Sequence, residues 1–235
     1  MTKKAKDEFI FQEDRDGKLQ FIGDFDGLYA SDIDPWGQSA NSDLNYKKYY
    51  DFSRARLARA IKSIENKKTV LEIGCGTGFV LNFLADNFPG SSLSGVDIST
   101  IAIEQARKNF PKHNFTVGDI GSSKFVVEQK YDLVIFNQIL WYILENLETA
   151  VFNAHKLLHR GGHFLICNAY LKEQRYGVDI VDGFNGCQEF MEIHHKYLFA
   201  LTDSQFDNYY PWQLEKAIAD WVQHYNHEQE VSLRW

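Results

Sequence analysis

The sequence is poor in cysteine and proline and has no excess of positive charge. Its 235 residues include 3 Cys and 4 Pro. Cys75, Cys167 and Cys187 are an odd set without short paired spacing. Neither a disulfide framework nor a zinc knuckle is expected, and a reducing cytoplasm is the compartment that fits. So few prolines, beside 16 glycines, exclude a Pro-rich or low-complexity chain. Lys and Arg number 25 against 32 Asp and Glu, a net charge of −7. This acidic balance speaks against nucleic acid as the main partner, because phosphate binding calls for a basic surface. No apolar run approaches the ~18 residues that span a bilayer, so no membrane partner is expected. The opening Met1-Thr2-Lys3-Lys4-Ala5-Lys6-Asp7-Glu8 has no apolar stretch behind its lysines and does not read as a secretory signal.

What is present is a chain of ordinary globular composition, rich in aromatics at 15%, and of a size that suits one large domain with caps. Its texture changes near residue 66. Before that point a hairpin is expected over residues 8–22, around Asp16-Gly17. An irregular arm follows over 23–45, then a helix over 46–64 with Leu57, Ile61 and Ile64 on one face. Beyond it strands and helices alternate. Strands are expected at 69–73, 93–98, 115–117, 131–136 and 163–167, and helices at 79–88, 100–109 and 144–158. The fourth strand, Tyr131-Asp132-Leu133-Val134-Ile135-Phe136, is nearly all apolar, as a strand buried on both faces requires. Such alternation predicts a doubly wound α/β sheet, mostly parallel. Residues 169–205 break the rhythm and read as an insertion over one edge. A helix over 211–224 and an edge strand over 231–235 close the chain.

The sharpest chemical signal is Glu72-Ile73-Gly74-Cys75-Gly76-Thr77-Gly78. A strand feeding a glycine turn and a helix makes a ligand seat at the carboxyl end of a sheet, and glycine lets the backbone come close to a ligand. The dinucleotide fingerprint would need a glycine at position 79, where Phe79 stands. Asp97 ends the second strand, where a carboxylate can accept both hydroxyls of a ribose. Asp119 ends the third, within reach of an adenine amino group.

These residues resemble the class I S-adenosylmethionine-dependent methyltransferases. Four family signatures occur in order: residues 72–78, Val96-Asp97-Ile98-Ser99, Gly118-Asp119-Ile120, and Tyr131 through Asn137. Leu157-Leu158-His159-Arg160-Gly161-Gly162-His163 is similar to the family's turn before strand five. The resemblance covers residues 68–168. It implies a seven-stranded sheet with a reversed last strand and the cofactor S-adenosyl-L-methionine. It further implies cofactor contacts from Gly74, Cys75, Gly76, Asp97, Ile98, Asp119, Ile120 and Asn137, with Glu72 and Gly78 completing the first motif. Asp34-Pro35-Trp36-Gly37, Tyr49-Tyr50-Asp51 and Arg54 resemble the amino-terminal arm of nodulation-type N-methyltransferases. Carried over, Tyr50 and Arg54 would cap the cofactor's amino-acid end, against the plainer reading of a solvated helix face.

The resemblance leaves the chemistry of the acceptor open. Gln138 stands where many relatives have an acid, and Tyr142 where they have a histidine. The aspartate of metal-dependent O-methyltransferases and the Pro-Pro-aromatic motif of nucleic-acid enzymes are missing, so no metal is expected. His194 and His195, in the expected lid, are the candidate general bases, with Tyr142 behind them; each is equally at home on a surface or in the core. The organisation expected is a capping arm over residues 1–60 and a methyltransferase domain over 61–235 with a lid near 169–205. The expected activity is methyl transfer to N or O of a small molecule: an amino sugar, sugar or small amine. A phosphorylated or nucleotide-linked acceptor and a non-catalytic binding subunit stay open as alternatives, as does the oligomeric state, a homodimer included.

Overall fold

The computed structural model describes residues 6–39, 44–65, 67–171, 174–193, 200–208 and 225–234. A short helix, α1 (Asp7–Ile10), leads into a hairpin of β1 (Phe11–Glu13) and β2 (Leu19–Phe21), paired antiparallel. Asp14 organises the turn. One of its carboxylate oxygens accepts the N–H groups of Asp16 and Lys18, the other the Gln20 amide. The hairpin is shorter than the sequence suggests, because residues 7–10 wind into α1. The segment expected to be irregular contains a helix, α2 (Phe25–Ser31), whose first turn is capped by the Asp24 carboxylate accepting the Gly27 N–H at 2.9 Å. A long helix, α3 (Leu44–Lys62), completes the arm.

The alternating region follows as β3 (Thr69–Ile73), α4 (Phe79–Asn87), β4 (Ser92–Asp97), α5 (Thr100–Asn109), β5 (Asn114–Val117) and β6 (Tyr131–Asn137). A short helix, α6 (Leu140–Ile143), precedes the helix expected over 144–158, which opens as a 3-10 turn over Leu144–Asn146 and continues as α7 (Leu147–Lys156). Then come β7 (Leu158–Leu171), α8 (Gly183–Ile193), β8 (Ala200–Asn208) and β9 (Tyr225–Arg234). The strands form one sheet in the order β5-β4-β3-β6-β7-β9-β8. The pairs from β5 through β7 are parallel, and β9 runs antiparallel to both β7 and β8. Two expectations are corrected here. The closing strand begins at Tyr225 and lies inside the sheet, where both its edges are paired; the edge strand is β8. Residues 169–205 are not one insertion: the first extend β7, and those from Ala200 belong to β8. The helix expected over 211–224 lies outside the described residues.

Alternation along β6 divides the core. Val134 and Phe136 face one layer with Leu140, Leu147, Val151 and Met191. Leu133 and Ile135 face the other, with Leu57, Ile61, Leu81 and Ile103. Helices on both faces bury the central strands, which is why β6 reads as a nearly all-apolar run. Strand order reverses between β3 and β6. Their carboxyl ends therefore diverge into a crevice, where open α/β sheets bind ligands. Among the described residues no helix is long and apolar enough to cross a membrane.

Candidate active site

The glycine turn leaves β3 at Ile73. Gly74 and Gly76 take φ of 71° and 53°, a region where side chains are strained. Space forbids side chains there too. A Cβ on Gly74 would stand 2.3 Å from Ile139 Cγ2, and one on Gly76 2.7 Å from the Tyr29 hydroxyl. The N–H groups of Gly74 and Cys75 both donate to the Val96 carbonyl, at 2.7 and 3.1 Å. The turn is thereby tied to the end of β4, where Asp97 accepts the Gly76 N–H at 2.8 Å on one oxygen and the Ser99 N–H at 2.9 Å on the other.

Two buried carboxyls lie behind this turn. Burial pushes Asp97 up to about 6, against the pull of its backbone donors. Burial pushes Glu72 further, to about 8, although the Asn137 amide beside it favours the ionised form. Glu72 Oε2 and Asn137 Oδ1 are buried without a hydrogen-bond partner. At neutral pH Glu72 is thus largely the neutral acid and Asp97 largely the carboxylate.

A cavity of about 440 Å³ opens above. Gly74, Gly76, Asp97, Ile98, Asp119, Ile120 and Asn137 line one wall, as expected from their motifs. Asn153, buried on α7, holds the loop after β5 by donating to the carbonyls of Ile120 and Ser122 at 2.8 and 2.9 Å. The arm supplies the roof through Phe21, Phe25, Tyr29, Trp36 and Tyr50, and Trp141 and Tyr142 stand at the end nearer β6. The roof is anchored where β4 meets α5. Asp26 on α2 accepts the Ser99 hydroxyl at 2.6 Å and the Ile101 N–H at 3.2 Å, so an arm carboxylate caps the start of α5.

Not every expected residue reaches the cavity. Arg54 does not line it; its Nη2 donates to the Gln38 carbonyl at 2.9 Å and thus holds the arm together. Cys75 is buried behind the turn against Gly95, and burial raises its thiol pKa well above the ordinary value. Gly78 starts α4 with φ of 87° and faces Phe115, not the cavity. Tyr142 lines the cavity but sits among rings: Phe25 at 5.4 Å, Trp36 at 5.7 Å and Phe21 at 6.5 Å. His194 and His195 lie outside the described residues. Among those described, no histidine lines the cavity, and no group of three or more His, Cys, Asp or Glu is placed to hold a metal.

Two contributors escaped sequence reasoning. Tyr29 belongs to no motif, yet it is buried over Gly76 and accepts the Trp36 indole N–H at 3.0 Å. Gln138 drew notice only as a departure from the family's acid. Its φ of 59° is the one positive value at a non-glycine among the described residues, a strain of ~1–3 kcal/mol. It is held there by donating its N–H to the Cys167 carbonyl at 2.7 Å. Its side chain accepts the Ala169 N–H at 3.0 Å and donates to Ser53 Oγ at 3.3 Å. Gln138 therefore joins α3 to the floor of the cavity.

With the crevice, the glycine turn and the strand-end carboxylates in place, comparison with known proteins is decisive. A family described as methyltransferase domain matches residues 64–228. The chain belongs to that family. It is 29% identical over 133 residues to the malonyl-[acyl-carrier protein] O-methyltransferase of Priestia megaterium, covering 53% of this chain and 47% of the relative. The chain spans about half the length of the curated relatives it matches. Among solved structures it is similar to the N-methyltransferase NodS from Bradyrhizobium japonicum in complex with S-adenosyl-L-homocysteine. That match has a TM-score of 0.60 and 19% identity, covering 86% of this chain and 91% of that one. The plantazolicin methyltransferase BpumL, in complex with a pentazolic desmethylPZN analogue and S-adenosylhomocysteine, aligns with a TM-score of 0.58 at 16% identity over 89% and 94% of the chains. At these identities the two structures establish the fold alone.

Proposed function

We propose that this protein is a cytoplasmic, S-adenosylmethionine-dependent methyltransferase that modifies a nitrogen or oxygen of a small molecule, within the class of amines and sugars. The observation that carries the reading is the Gly76–Asp97 contact at the cavity wall. A glycine N–H and a buried carboxylate, 2.8 Å apart, meet where a ribose would lie. The residues present fit the cofactor. Gly74 and Gly76 bring bare backbone to the cavity wall, Asp97 offers acceptor lone pairs, and Ile98 and Ile120 offer apolar faces beside Asp119. The unpartnered Asn137 Oδ1 offers a further acceptor at the cavity wall, while Glu72 stays buried behind the turn.

When bound, S-adenosylmethionine supplies a sulfonium-activated methyl group, which passes to the acceptor as its S–C bond breaks, leaving S-adenosylhomocysteine. The protein's part is binding and alignment. Asp97 holds the ribose, Asp119 the adenine amino group, and Tyr50 covers the amino-acid end. The roof of Phe21, Phe25, Trp36 and Tyr142 excludes water. Orienting two reactants can contribute roughly 7–11 kcal/mol, and aromatic faces attract a sulfonium by ~0.5–2 kcal/mol. An amine acceptor has only to release its proton to water. A hydroxyl acceptor would need a base, a role for which His194, His195 and Tyr142 remain the candidates. Residues 1–60 act as the cap and the part of residues 169–205 that lies between β7 and β8 contributes the lid, over a seven-stranded sheet with one reversed strand. Calorimetry with S-adenosylhomocysteine and with NAD tests the reading: binding of the first and not the second is expected, and the reverse overturns it.

A further inference from the structure

The acceptor half of the cavity has a chemistry that narrows the substrate. Its walls are largely rings, Tyr142 among them, beside Gln38 and Asn146, and the indole N–H groups and the Gln138 amide on those walls are already engaged. The Trp36 indole N–H donates to Tyr29 at 3.0 Å, and the Trp141 indole N–H to the Ala169 carbonyl at 2.9 Å. Both ends of the Gln138 amide are taken by Ser53 and Ala169. What these side chains present is therefore π faces and methylene groups. A polyhydroxylated acceptor would leave hydroxyls without partners against them, which buried sites reject strongly. The carboxylates at the cavity, Asp97 and Asp119, belong to the cofactor wall. One ring face already carries a cation: the Lys6 ammonium, itself at the cavity, stands 4.0 Å over the centroid of Trp36.

We propose that the Trp36 face, flanked by Phe25 and Tyr142, is the seat of an organic ammonium with an apolar, planar body. The acceptor is an arylalkylamine or a close relative, not an amino sugar, and Lys6 is its intramolecular competitor. This rests on the methyltransferase reading and names its substrate class. The seat holds the protonated amine; on release of that proton to water, the nitrogen lone pair forms the new N–C bond while the S–C electron pair stays on sulfur.

The test uses phenethylamine as probe, with phenylacetate and glucosamine as the anionic and sugar comparisons. Each is titrated by calorimetry into the full chain, with and without saturating S-adenosylhomocysteine. Phenethylamine is expected to bind ~2- to 30-fold more tightly than either comparison, the span that a cation–π contact covers from exposed to desolvated. Lys6→Ala should tighten phenethylamine several-fold by removing the competitor. Affinity should fall in the order Trp36, Trp36→Phe, Trp36→Leu, the intermediate variant keeping a ring in case the last disturbs the roof. Tighter phenylacetate binding that Lys6→Ala weakens would make this an anion seat and overturn the proposal. Tighter glucosamine binding, or no phenethylamine binding in either state, would overturn it equally. Failure of S-adenosylhomocysteine to bind would instead sink the methyltransferase reading, so the two failures are separable.

Discussion

Asp97 is the residue on which the cofactor reading turns. It accepts from Gly76 and Ser99 and still faces the cavity. Asp97→Ala is expected to weaken S-adenosylhomocysteine binding by roughly one to two decades, the worth of hydrogen bonds to a charged group. Asp97→Asn, which keeps the shape, separates loss of charge from collapse of the turn. Because burial places its pKa at about 6, affinity should decline as pH falls through that value and the acceptor is protonated. Glu72 makes a different, pH-dependent claim on stability. Its pKa rises from 4.5 to about 8 on folding, so the native state binds the proton more tightly than the unfolded state. Stability must then fall as pH rises through that window. Glu72→Gln removes the titration. Thermal unfolding should find the variant gaining on the wild type between about pH 5 and about pH 9. A constant difference across that range would mean that Glu72 is not the buried acid described here.

The element with most influence on the site is α2, a seven-residue helix outside the alternating region. Its Asp26 caps α5 across a sequence distance of more than seventy residues, and its Tyr29 closes over the glycine turn. Asp26→Ala should speed hydrogen exchange in residues 25–31 and weaken S-adenosylhomocysteine binding, with the sheet's exchange unchanged; equal exchange in both proteins would show that the cap does not hold the arm. None of this was legible in the sequence. Motifs 72–78, 96–99 and 118–120 could be read because backbone geometry demands particular residues there, glycine at a crowded turn and an acid at a strand end. The strand–helix alternation could be read because burial on both faces leaves an apolar run. α2 could not, since Gly27, Asp24 and Asp26 argue locally for a loop, and the helix exists through a cap and a docking partner distant in sequence. Arg54 lies off the cavity for the converse reason. A motif resemblance does not reveal that a nearby carbonyl, that of Gln38, takes the guanidinium first. The short α6 likewise begins on a tertiary contact, its Leu140 N–H donating to buried Asn168.

At the scale of the whole molecule, the sheet sets the floor of the site and the arm makes its roof. Turnover should be indifferent to EDTA, since the described cavity wall offers no metal-binding group of side chains; loss of activity with EDTA and its return with magnesium would refute this. Residues 1–39 should be separable from folding but not from binding. Deleting them should leave a cooperative unfolding transition while removing most S-adenosylhomocysteine affinity, because the wall at Gly76 and Ile98 would then face water. The roof is pinned from the other side as well. Phe11 lies 5.1 Å from Tyr176, Phe21 6.3 Å from Tyr176, and Arg175 pairs with Glu13 at 2.6 Å. Any parting of arm from sheet must therefore wet a cluster of aromatic rings. Wetting such surface raises the heat capacity, so the cost of opening is itself a function of temperature. Product release through this roof should accordingly give a curved Eyring plot, one that straightens when Phe11 and Phe21 are replaced by smaller side chains.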